Sequence, residues 1–111
     1  MEKKIFKILS SIDNIGSLIK NNDFVIHNNT FYEDPVLHNY IEELSKEMNI
    51  SYNNALHFAA LFFLVTTEYE KNIKLKELAD FLKINLHQYD KLIEALNELE
   101  EFGLINRDFS S

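Results

Sequence analysis

The sequence predicts a mainly α-helical fold of five helices with at most a small two-stranded sheet. Three observations carry that expectation. Apolar residues recur at i, i+3, i+4 and i+7 through most of the chain, the period of a helix with one buried face. Helix-start and helix-stop residues punctuate it at Asp34-Pro35, Ser51, Asn85 and Gly103. Two glycines and one proline are too few for a turn-rich β sandwich. A chain of 111 residues makes one domain. At that size it buries roughly two thirds of its unfolded surface and needs no disulfide or metal staple.

The first helix is expected from about Lys3 to Lys20, with Ile5, Ile8, Leu9, Ile12, Ile15 and Ile19 forming one apolar stripe and Gly16 weakening its last turn. The Asn-rich stretch that follows, "NNDFVIHNNTFYED", reads as a loop whose Phe24, Val25, Phe31 and Tyr32 tuck onto the core, with room for a short strand at 24–27. The second helix starts where Asp34 supplies an N-cap and Pro35 fits the first helical position, which needs no amide hydrogen. It runs to about Asn49 with Val36, Leu37, Tyr40, Ile41, Leu44 and Met48 inward.

Ser51 caps a third helix that reaches Tyr69 or Lys71. Its middle, "ALHFAALFFLV", is apolar on every side, which marks a helix surrounded by the other four. A fourth helix spans Lys76–Lys83, with Leu75, Leu78, Ala79 and Leu82 facing in. Asn85 then caps a fifth, with Gln88 at the capping-box position. It reaches about Phe102, buries Tyr89, Leu92, Ile93, Leu96 and Leu99, and ends at Gly103. Segments 72–75 and 104–107 read as two very short strands able to pair.

Composition narrows the function. With no cysteine, disulfides and cysteine-ligated metals are excluded, in keeping with a cytoplasmic protein. "MEKKIFKILSSIDNIG" lacks the continuous apolar run of a secretory signal. The apolar run at 59–65 is far below the roughly 20 residues of a membrane span. Neither glycine sits in a phosphate-binding loop, and no serine lies in a nucleophile motif. His27, His38, His57 and His87 show no metal-binding spacing. His38 and Glu42 share one helix face as a solvated pair, and His57 reads as a core or interface histidine with one satisfied nitrogen. The expectation is no enzyme within this chain, no cofactor and no metal.

Asn85, His87, Gln88 and Lys91 lie at the start of the fifth helix, where a DNA-reading helix would meet base edges and phosphates. Farther along stand Glu94, Glu98, Glu100 and Glu101. The net charge is −7, with one arginine among eleven basic residues. Phosphate binding needs cations, so the balance disfavours nucleic acid. The candidate interaction face is Asn85, His87, Gln88, Lys91, Glu94, Glu98 and Glu101.

The stretch "IKLKELADFLKINLHQYDKLIEALNELEEFGLINR" resembles a winged-helix helix-turn-helix module. The match rests on Lys76-Glu77-Leu78-Ala79, on the second helix, and on Gly103-Leu104-Ile105-x-Arg107. From Asn85 to Gly103 the second helix is about one turn longer than in DNA-reading versions. With the two helices before it, residues 35–107 look like a variant winged-helix domain found ahead of AAA-type ATPase modules in bacteria. That resemblance implies a winged-helix-like core at 34–107, extended by an N-terminal helix and loop at 1–33 and a tail or linker start at 108–111. It implies a non-catalytic protein-interaction or regulatory domain, with a protein partner or a downstream ATPase module. The alternative is a small DNA-binding winged-helix transcriptional regulator. A homo-oligomer through the first helix is a further expectation.

Overall fold

The computed structural model describes residues 2–21, 34–68, 73–84 and 89–106. Among them are five helices: α1 (Glu2–Asn21), α2 (Pro35–Met48), α3 (Tyr52–Glu68), α4 (Leu75–Leu82) and α5 (Tyr89–Glu101). α3 touches each of the other four, as its all-round apolar surface demands. α1 and α2 pack against each other and against one side of α3, and α4 and α5 complete its surroundings. The radius of gyration, 13.2 Å, is that of a single domain of this length.

The core is aliphatic. Ile12, Ile15 and Ile19 of α1 meet Leu37, Ile41 and Leu44 of α2 and the Ala55, Leu56, Ala59 and Ala60 face of α3. Leu78 and Leu82 of α4 and Leu92 and Leu96 of α5 join the same cluster. Burying side chains of this size is worth about 1.5–3 kcal/mol each, so they supply the bulk of the folding drive.

Local chemistry sets most helix ends. Asp34 accepts a hydrogen bond from the Leu37 amide at 2.9 Å, and Ser51 Oγ accepts one from the Asn54 amide at 3.1 Å. Three helices stop by the same device, a left-handed residue followed by an apolar one. Asn49, Lys83 and Gly103 have φ of 56°, 59° and 76°. The amides of Ile50, Ile84 and Leu104 then reach back to the carbonyls of Ser45, Ala79 and Leu99 at 2.9–3.1 Å.

Several expectations are corrected. No strand forms among the described residues. The Lys74 amide is taken by Glu77 Oε1, and Leu75 starts α4 one residue earlier than expected. The Leu104 amide closes α5, so it is not available to a ladder there. Asn72 and Arg107, the outer ends of the expected pair, lie outside the described residues, as do the segment 22–33 and its apolar side chains. Ile5, Leu9, Val36 and Leu75, expected inward, are exposed. Ile5, Val36 and Leu75 lie near the starts of their helices, and Leu9 lies at the edge of the buried Ile12, Ile15 and Ile19 stripe of α1.

Gly16 does more than weaken α1. A Cβ built there would overlap the side chain of Phe63 on α3. Phe63 in turn stacks on Phe81 of α4, with ring centroids 5.8 Å apart. One aromatic side chain therefore ties α1, α3 and α4 together.

Candidate interaction surface

The candidate site is the outer face of α5. Leu92, Ala95, Leu96 and Leu99 turn one side of this helix into the core. The opposite side must then carry the residues about half a turn away. Asp90, Glu94 and Glu98 follow at i, i+4 spacing, and Glu101 lies one turn beyond Glu98. Asp90, Glu94 and Glu101 are exposed and Glu98 is half-buried. Lys91 is exposed at the edge of this stripe. No basic residue occupies the last turn of α5.

Two of these placements work against the helix itself. Like charges at i, i+4 repel, and carboxylates in a last turn face the negative end of the helix dipole. Asp90 alone stands where the dipole favours it, in the first turn.

The start of α5 is fixed against α3. Asn53 Nδ2 donates to the Lys91 carbonyl at 3.2 Å. His57, one turn further along α3, donates from Nδ1 to the Asn53 carbonyl at 2.7 Å. The ring is buried, and burial pushes its pKa below the ordinary histidine value, opposed by that hydrogen bond. It is therefore neutral, with Nδ1 carrying the proton, as a core histidine with one satisfied nitrogen should be. The Oδ1 atoms of Asn53 and Asn54 are buried, with no hydrogen-bond partner among the described residues. Of the other candidate residues, Asn85, His87 and Gln88 lie outside the described residues. Lys91, Glu94, Glu98 and Glu101 share one helix and one side of it.

His38 lies away from this face. Its Nε2 meets Glu42 at 3.0 Å and its Nδ1 meets the Tyr52 hydroxyl at 3.0 Å. These two contacts tie the start of α3 to α2. No group of three His, Cys, Asp or Glu able to hold a metal occurs among the described residues.

A second surface had no signal in the sequence beyond its apolar period. At the start of α1, Ile5, Phe6 and Leu9 are 56%, 77% and 46% exposed. Lys3 and Lys4 beside them are exposed, and Lys7 pairs with Glu47 of α2 at 3.1 Å. Phe6, Lys3 and Lys7 also border an open groove of about 390 Å³ between α1 and α2, closed on its far side by Tyr40 and Glu43. Among the described residues, no helix is long and apolar enough to cross a membrane.

Comparison of the chain with protein-family models, with curated proteins and with solved structures finds no match.

Proposed function

We propose that this chain is a non-catalytic protein-interaction or regulatory domain of winged-helix type, the N-terminal part of a larger AAA-type ATPase, and that α5 presents its carboxylate face to a partner. The observation that carries the reading is the run Asp90, Glu94, Glu98 and Glu101 along the outer side of the second helix of the α4–α5 pair. A DNA-reading protein needs cations on that helix, because its affinity comes largely from neutralising phosphates. Four carboxylates and one lysine instead suit a partner that brings lysines or arginines.

The winged-helix part of the proposal is supported by the order of elements. α4 is short, α5 follows after a brief connection, and Gly103 closes α5 directly before Leu104 and Ile105. In this reading the phosphate-binding loop of the ATPase belongs to another part of the protein.

The test compares two ligands by fluorescence anisotropy at low salt. One is a labelled lysine-rich amphipathic peptide and the other a labelled random-sequence duplex. The expected result is salt-sensitive peptide binding that Glu94→Lys/Glu98→Lys weakens by about tenfold or more. Duplex binding with a steep salt slope, and none to the peptide, would favour the DNA-binding regulator instead.

A further inference from the structure

The two ends of the helical chain carry complementary surfaces. The start of α1 is apolar and basic, in a protein whose net charge is −7. Phe6 is its most exposed apolar side chain, with Ile5 and Leu9 next to it and Lys3 and Lys4 at its rim. The end of α5 is apolar and acidic. Phe102 is 58% exposed and Leu104 is 37% exposed, directly after Glu98 and Glu101.

Each surface is unfavourable alone, in the same two ways. Clustered apolar side chains stand in water, where a monomer keeps few such patches. Their charges also oppose the local helix dipole. Lys3 and Lys4 stand in the first turn of α1, at its positive end, and Glu98 and Glu101 in the last turn of α5, at its negative end. Bringing the two surfaces together covers both apolar groups, pairs lysine with glutamate, and sets the end of one helix dipole against the opposite end of another.

We propose that the chain associates with a second copy of itself, the first turns of α1 in one copy seating on the C-terminal end of α5 in the other. This rests on the reading of α5 as an interaction surface and names an occupant for its last turn. The matched charges select a second copy over a negatively charged lipid surface, which would repel the acidic body. A few side chains on each side make a contact at the weak end of protein interfaces, and opposite charges make it salt-sensitive.

Sedimentation equilibrium at about 50 mM and about 500 mM NaCl tests this. At low salt the weight-average mass should rise with concentration above the 13.1 kDa monomer, and at high salt it should return to it. Lys3→Glu/Lys4→Glu and Glu98→Lys/Glu101→Lys should each weaken association by about tenfold or more. An equimolar mixture of the two should recover it, because each restores the other's missing charge. Recovery also shows that both variants fold. A wild-type chain that stays monomeric at low salt overturns the inference. So does association that survives either reversal, or a mixture that fails to recover. Monomers that bind anionic vesicles through α1 would assign that surface to lipid instead. Peptide binding to α5 that persists in Lys3→Glu/Lys4→Glu, with no self-association of the wild type, removes this inference and leaves the interaction reading intact. Loss of both removes both.

Discussion

Gly16 of α1 and Phe63 of α3 occupy one space: the missing side chain of the glycine is where the phenylalanine ring sits. Phe63 is buried there and stacks on Phe81 of α4. In an ordinary helix interior, Gly→Ala gains up to about 1 kcal/mol from helix propensity. At Gly16 the overlap should reverse that sign, and Gly16→Ala should lower stability by about 1–3 kcal/mol. In a Phe63→Ala background the ring is gone, and the same substitution should become neutral or stabilising. Urea denaturation of the four proteins of this cycle measures the coupling. Additive effects would mean that the two residues do not share this space.

Gly103 has the opposite cause for being glycine. Its φ is +76°, and a Cβ there would meet nothing within 4 Å among the described residues. Gly103→Ala should cost about 1 kcal/mol through backbone conformation alone. No second-site change that makes room should relieve it. Chemical denaturation gives the cost, and an unchanged midpoint would argue against the left-handed ending of α5.

His57 links stability to pH. The folded protein holds it neutral, with its pKa below the value of about 6.5 that it regains on unfolding. Between those two values the unfolded chain binds the proton and the folded one does not. Stability should therefore be insensitive to His57 well above about pH 6.5 and fall as the pH drops below it. His57→Gln should flatten that part of the profile. An equal slope in both proteins would place the acid sensitivity elsewhere.

The carboxylate stripe predicts a trade between stability and binding. Glu94 and Glu98 repel each other across one turn, and Glu98 also faces the negative end of α5. Replacing Glu98 with lysine turns one repulsive pair into an attractive one. Glu98→Lys should raise stability by about 0.3–1 kcal/mol in low salt while weakening the binding of a basic peptide. Thermal denaturation and anisotropy on the same sample check both halves. A loss of stability would show that Glu98 is held by a local partner and is not reserved for another molecule.

The parts of this fold that were legible in the sequence are those governed by neighbours along the chain. Asp34-Pro35 announces the start of α2, Ser51 that of α3 and Gly103 the end of α5, since capping is chemistry within a few residues. α3 was readable as the central helix because no polar side was left to face water. Periodicity shows which side of α1 is apolar but not how wide or how long a stripe its neighbours cover, so it places Ile5 and Leu9 in the core where the structure leaves them exposed. The role of Gly16 was hidden for a related reason: its partner is 47 residues away in sequence. The short strands do not form although Ile73 to Leu75 and Leu104 to Ile105 have strand-like apolar content, because the amides of Lys74 and Leu104 go to helix ends. Spacing alone put Glu94, Glu98 and Glu101 on one face of α5. Asn85, His87 and Gln88 lie outside the described residues.

The central claim is that the outer face of α5 receives a protein. Residue-resolved amide shifts of the isotope-labelled chain test it most directly, with the basic peptide or a DNA duplex added at low salt. The account predicts peptide-induced shifts concentrated on Asp90, Glu94, Glu98 and Glu101, fading as salt rises, and no shifts there with the duplex. Shifts on α5 from the duplex, or peptide shifts confined to α1 and α2, would contradict it.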